Sequence, residues 1–263
     1  MMSGAAPGTA TREAARPGGT LHAGLLGHSA EGAALCFRAF CQEGFAELGE
    51  HDHPDVTLDL IPLSRSMPAW DAGDHAAVRA TLAASAARLA RAGADFFVCP
   101  DNTAHLALGL PGPALALPGL HLPDLVAERA AAGGRRRIGV LGTRFTMDGP
   151  LYREAFARRG TAAERPEPRD RETVHRIIFE ELLNGRFTGE ARRAFAEVID
   201  RLAGRGCDAV ALVCTEIPLL VGQEDSSLPL LDSTRIAARA AFEVAVGRRP
   251  LPRWRGGPPQ QAG

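Results

Sequence analysis

Lysine is absent from this chain, and all 30 of its basic residues are arginine. A pyridoxal-phosphate enzyme holds its cofactor as a Schiff base on a lysine amine, so that route to chemistry at an amino-acid α-carbon is closed. A strong net charge is missing too, with 30 basic residues against 31 acidic ones and no basic run longer than Arg135-Arg136-Arg137. Neither a nucleic acid nor a membrane surface is therefore expected as a partner. No apolar run approaches the roughly 18 residues that a membrane span needs. The five cysteines, Cys36, Cys41, Cys99, Cys207 and Cys214, form no CxxC pair and no zinc-like spacing. The opening residues lack the basic, apolar and small-residue succession of a secretory signal, so reduced thiols and a cytoplasmic location are expected. Residues 1–20 read as a disordered tail and 247–263 as a flexible one, both rich in small residues, proline and arginine.

What the sequence does contain is a repeat. Gly93-Ala-Asp-Phe-Phe-Val-Cys-Pro-Asp-Asn-Thr-Ala-His105 and Gly206-Cys-Asp-Ala-Val-Ala-Leu-Val-Cys-Thr-Glu-Ile-Pro-Leu-Leu220 share one plan: a helix end, a buried apolar strand, then a polar turn opened by a titratable side chain. Their glycines lie 113 residues apart (206 − 93), and a second pair, Gly24-Leu-Leu-Gly27 and Gly139-Val-Leu-Gly142, repeats at 115 (139 − 24). Short apolar runs alternate with segments of helical period, the pattern of an α/β protein with mainly parallel sheets. The expected fold is two pseudo-symmetric α/β halves, residues 21–120 and 121–246, with the chain returning to the first half near 225–246. The active site would lie in the cleft between them.

Strands are expected at Leu25-Leu26, Val56 to Ile61, Phe96 to Cys99 and Leu115 to Leu117, then at Ile138 to Leu141, Ala209 to Val213 and Leu228 to Leu231. Val78, Leu82, Ala86 and Leu89 recur at helical spacing behind Asp74 as N-cap and ahead of Gly93; Ala191, Phe195, Val198 and Leu202 do the same ahead of Gly206. Ligands of open α/β sheets bind at the carboxyl ends of the strands. Asp101-Asn102-Thr103, Cys214-Thr215-Glu216 and Thr143 to Thr146 all fall there. Two such halves facing each other would bring Asp101 and Cys214 to opposite sides of one carbon.

Asn102-Thr103-Ala104-His105 and Cys214-Thr215-Glu216-Ile217-Pro218-Leu219-Leu220 resemble the two signature motifs of the aspartate/glutamate racemase family. Leu141-Gly142-Thr143 with Thr146-Met147 and Tyr152 resembles its intervening segment, and Asp232-Ser233-Thr234 its late turn. The likeness covers about residues 22–246. Glu216 and His105 are similar to the aspartate-racemase branch in particular. The resemblance implies a homodimeric isomerase that uses neither cofactor nor metal and moves a proton at the α-carbon of an amino acid or related small carboxylate between two cysteines. Cys214 matches the second of these. The first is replaced by Asp101, with Cys99 two positions upstream in the strand as a core residue.

Asp101 admits two readings, a base whose pKa is raised by partial burial or a turn cap. A thiol at Cys214 near a helix N-terminus is expected to have a lowered pKa. Asn102, Thr103, Thr143, Thr146 and Thr215 would hold the substrate carboxylate, as their family counterparts do. His28 and Ser29 stand where the family has a glycine-rich turn, and Ser29 is taken as a substrate contact. Arg65 is the candidate reader of a distal carboxylate; Leu183 or Asn184 occupies the region where the family's lysine would lie. His51 and His53 lack a third ligand in register, and His121 and His175 read as surface or supporting residues. Three functions stay open: a cofactor-independent racemase or epimerase, a cofactor-free decarboxylase or cis/trans isomerase using Cys214 alone, and a non-catalytic carboxylate-binding protein.

Overall fold

Apolar runs of three to six residues become the inner strands of two parallel sheets. The computed structural model describes residues 19–259, so all but the last two residues of the expected N-terminal tail lie outside the described residues. The first half runs β1 (Ala23–Gly27), α1 (Ala30–Glu47), β2 (Val56–Leu60), α2 (Met67–Asp71), α3 (His75–Arg91), β3 (Phe96–Val98), α4 (Ala104–Leu108) and β4 (Gly119–Leu120). It is followed by α5 (Leu122–Ala132), β5 (Arg137–Gly142), α6 (Arg144–Asp148), α7 (Leu151–Ala157), β6 (Ala162–Glu164) and α8 (Pro168–Glu180). The chain continues with α9 (Gly189–Gly204), β7 (Ala209–Val213), α10 (Ile217–Leu220), β8 (Leu230–Asp232) and α11 (Ser233–Ala245).

The sheets have the orders β2-β1-β3-β4 and β6-β5-β7-β8, and every pairing is parallel. The orders match position for position, so the repeat in sequence is a repeat of topology. Every residue of β1 and β7 is buried, as parallel strands covered on both faces require. Gly93 and Gly206, with φ of 97° and 84°, turn the chain from helix into strand through a region that other residues rarely adopt. A Cβ on Gly24 would stand 3.1 Å from Leu89 Cδ1 and one on Gly139 2.8 Å from Leu202 Cδ1. The second glycine pair therefore lets α3 and α9 pack close to their central strands.

One face of each sheet is covered by its own helices, with Leu82, Leu89 and Phe97 in the first half and Ile178, Phe195 and Leu202 in the second. The other two faces share a core built by α1, α5, α7 and α11. Phe40 of α1 meets Phe242 of α11 edge to face, centroids 6.3 Å apart; truncating either ring to alanine would cost about 3–5 kcal/mol. Arg239 of α11 pairs with Glu47 of α1 at 2.6 Å.

Two expectations need correction, and one strand was not foreseen. Leu115 to Leu117 is not a strand: Pro118 cannot donate a ladder hydrogen bond, and pairing begins only at Gly119. The edge strand β6 was not expected, because Ala162-Ala-Glu164 presents no apolar run. Residues 251–259, expected to be flexible, are seated on the first half. There the carbonyls of Arg255 and Trp254 accept from Leu115 N–H at 2.9 Å and Gly119 N–H at 2.7 Å, and Trp254 stacks on His105 with centroids 5.7 Å apart.

Candidate active site

The turns after β1, β3, β5 and β7 converge at the carboxyl ends of the two sheets. Ser29, Asp101, Asn102, Thr103, Thr143, Cys214, Thr215 and Glu216 line one pocket there. Hydroxyl contacts join the halves across it, Ser29 Oγ to Thr215 Oγ1 at 3.2 Å and Thr103 Oγ1 to Thr143 Oγ1 at 3.2 Å.

Asp101 is held at both oxygens. Oδ1 accepts from the Ala104 N–H at 3.1 Å, which closes the turn leading into α4, and Oδ2 lies 2.9 Å from His28 Nδ1. His28 Nε2 in turn meets Ser66 Oγ at 3.0 Å. The His28 side chain is fully buried, whereas Asp101 keeps 17% exposure toward the pocket. Burial alone would raise the Asp101 pKa, but the hydrogen bond and charge of His28, joined by the Ala104 N–H, outweigh it and hold the carboxyl below its ordinary value. The raised pKa expected from partial burial is thus corrected to a lowered one. The Asp101 carboxyl is held toward its ionised form while Oδ1 closes the turn at Ala104.

The Cys214 pKa is shifted the other way. Its thiol donates to Glu216 Oε2 at 3.1 Å, and Thr215 Oγ1 donates to the same oxygen at 2.8 Å. Burial first, then the charge and hydrogen bonding of Glu216, push the thiol pKa well above its usual value. The lowering expected from a helix N-terminus does not prevail, because α10 has only four residues and the carboxylate is nearer. Glu216, unassigned from sequence although it stands in the Cys-Thr-Glu motif, is 2% exposed. Its Oε1 is buried without a hydrogen-bond partner.

The other expected residues divide. Asn102 lines the pocket, but its side chain is engaged: Nδ2 donates to Ser233 Oγ at 3.0 Å and Oδ1 accepts from Tyr152. Thr146 does not line the pocket; it lies beneath Thr143, donating to its carbonyl at 2.9 Å. Arg65 is exposed at the end of a short 3-10 turn, Leu63–Arg65, and its neighbours Leu63 and Met67 line the pocket instead. Leu183 lines it and Asn184 does not. Cys99 is fully buried in the core, its thiol pKa pushed well up by burial. His121 pairs with Asp124 at 2.8 Å, outside the pocket, and His175 accepts from the Arg144 N–H at 3.2 Å beside the pocket wall. Among the described residues, no group of three or more His, Cys, Asp or Glu is placed to hold a metal, and no helix is long and apolar enough to cross a membrane. Sequence reasoning missed the apolar walls formed by Trp70, Phe145 and Phe179; the signal was Met67-Pro-Ala-Trp70 after β2 and Phe145 beside Thr143.

Comparison with known proteins agrees with this geometry. The Asp/Glu/hydantoin racemase family profile matches residues 39–241. The broad specificity amino-acid racemase RacX of Bacillus subtilis is 20% identical over 212 residues, 78% of this chain and 88% of the relative. A solved Asp/Glu racemase candidate from Yersinia pestis is 33% identical with a TM-score of 0.75, covering 86% of this chain and 99% of its own. The aspartate racemase homologue PH1733 of Pyrococcus horikoshii has a TM-score of 0.70 at 24% identity, covering 86% of this chain and 99% of its own. With a family match over most of its length and the family's two strand-end motifs meeting in one pocket, this chain belongs to the Asp/Glu/hydantoin racemases, and so to the isomerases.

Proposed function

We propose that the protein is a cofactor-independent racemase or epimerase of an amino acid or related small carboxylic acid, with Asp101 and Cys214 as its two proton-transfer groups. The observation that carries this reading is their meeting in one pocket from opposite halves, where their surroundings shift the Asp101 pKa down and the Cys214 pKa up. Hydroxyl groups of Ser29, Thr103, Thr143 and Thr215 bind the substrate carboxylate and stabilise the charge that develops on it when the α-carbon loses its proton. The Asp101 carboxylate takes that proton, and the Cys214 S–H gives its own to the opposite face. The C–H electron pair passes to the carboxylate and returns to form the new C–H bond, leaving Asp101 protonated and Cys214 as thiolate. The opposite enantiomer reverses each transfer, and exchange with solvent restores the resting state. Such positioned acid–base groups contribute about 10²–10⁴-fold each.

His28 keeps Asp101 ionised and aimed, and Glu216 holds the thiol proton on Cys214 until it is needed. The broad specificity in the name of the Bacillus subtilis relative agrees with a range of amino-acid substrates. A second reading is favoured by the Cys214 thiol, which lines the pocket and donates to Glu216 Oε2, since a cofactor-free decarboxylase needs only a proton donor after carbon dioxide leaves. Proton NMR in D2O over amino acids, hydroxy acids and malonates, read together with optical rotation, decides between them. Racemisation gives loss of the Cα–H signal with loss of rotation; release of carbon dioxide without racemisation would replace the two-base reading with decarboxylation.

A further inference from the structure

We propose that the substrate is an α-amino acid with an apolar side chain, branched or aromatic, and that aspartate and glutamate are rejected. This rests on the racemase reading above and names its substrate class. Leu63, Met67 and Trp70 from the first half face Phe145, Phe179 and Leu183 from the second around the pocket. Trp70 and Phe145 approach across the cleft with centroids 6.2 Å apart. His175 braces the far side, 6.3 Å from the Phe145 ring and 4.6 Å from that of Phe179. These side chains give the pocket an apolar lining alongside the hydroxyl cluster that suits the α-carboxylate.

The charges in the pocket point the same way. Among the described residues its lining includes no Arg, Lys or His, and the ionisable carboxyls there are Asp101 and Glu216. Arg65, the one cation expected to read a distal carboxylate, is exposed and does not line the pocket. A side-chain carboxylate would have to be buried against leucine, methionine and aromatic rings without a counter-charge, which an ionised group strongly resists. A geminal dicarboxylate such as a malonate would bring a second anion into the same surroundings. An α-ammonium, in contrast, is a donor with positive charge, and Glu216 Oε1 is a buried acceptor that has no partner. Carboxylate to the hydroxyls, ammonium to Glu216 and an apolar side chain to the wall together account for each part of the lining.

The test compares leucine, phenylalanine, aspartate and glutamate, each as both enantiomers, by ligand-induced thermal shift and by Cα–H exchange in D2O. Leucine and phenylalanine should bind and exchange with kcat/KM at least about 100-fold above the acidic pair, the scale on which a site with an unmatched polar group discriminates. Leu183→Arg adds a cation to the half-buried wall and should shift preference toward aspartate and glutamate; Met67→Arg on the opposite wall makes the same test should the first variant not fold. Exchange of aspartate or glutamate at rates equal to leucine would overturn the substrate assignment and leave the racemase reading standing. Binding of leucine and phenylalanine without exchange would sustain the assignment and overturn the proton-transfer reading. Absence of any shift or exchange with the apolar amino acids would overturn the assignment.

Discussion

Gly32→Ala tests how closely the two halves meet at the site. Gly32 lies in the first turn of α1, where an ideal Cβ would stand 2.1 Å from Thr215 Oγ1, 2.2 Å from Thr215 Cβ and 2.8 Å from Ser29 Oγ. Ordinary contact begins near 3.4 Å, so Thr215 Oγ1 must retreat by 1.3 Å (3.4 − 2.1). Thr215 is 4% exposed and bonded to Glu216 and Ser29, so it cannot move alone. The whole Cys214-Thr215-Glu216 turn is displaced with it. Overpacking costs about 1–3 kcal/mol, and the helix recovers about 1 kcal/mol from replacing glycine. The net is about 0–2 kcal/mol, or a Tm lowered by up to about 8 °C for a domain of this size. Activity suffers more, because a displacement near 1 Å between reacting groups costs on the order of 100-fold. Circular dichroism melting and polarimetric racemisation rates measure the two effects separately. A folded Gly32→Ala protein with wild-type kcat would refute the close approach of α1 to the thiol turn.

His28→Leu removes the hydrogen bond and charge that hold the Asp101 pKa down, so the acid limb of the kcat/KM profile should move to higher pH; an unmoved limb would show that Asp101 is not the group titrating there. Burial depresses the His105 pKa from 6.5 to about 3, so the folded protein holds this ring neutral while the unfolded chain protonates it. Stability should therefore fall as pH drops below 6.5, by about 1.4 kcal/mol per pH unit down to about 3, and urea titrations of His105→Gln should show a flatter slope over that range. Trp254→Ala should lower stability by about 2–4 kcal/mol in the same assay, somewhat below a fully buried tryptophan, because the ring packs against Phe97, His105 and His121 but is only half-buried.

The repeat was legible because physics leaves the same marks twice. Gly93 and Gly206 have the positive φ a helix-to-strand turn requires, and the apolar runs that follow them are central strands. Asp101 and Cys214 were legible as pocket residues because strand ends in parallel sheets converge. Their protonation was not, since it depends on His28, 73 residues from Asp101 in sequence, and on whether the Glu216 carboxylate or a short helix lies nearer the thiol. Thr146 and Arg65 show the same limit: spacing puts them on the right loops, but the direction of each side chain is set by tertiary packing. Trp254 was hidden in a proline-rich and glycine-rich segment whose order comes from hydrogen bonds to the loop before β4.

The central claim is that Asp101 and Cys214 serve opposite faces of one carbon, and enantiomer-resolved Cα–H exchange in D2O on Asp101→Asn and Cys214→Ser tests it most directly. Asparagine caps about as well as aspartate and retains the Ala104 N–H contact, so Asp101→Asn should fold normally. Each variant should lose racemisation by about 10²–10⁴-fold. Cys214→Ser should keep exchange of the enantiomer whose Cα–H faces the Asp101 carboxylate, whereas Asp101→Asn, which leaves only the protonated Cys214, should slow exchange of both enantiomers. Near-wild-type racemisation by Asp101→Asn would contradict the account and leave Cys214 as the sole proton-transfer group.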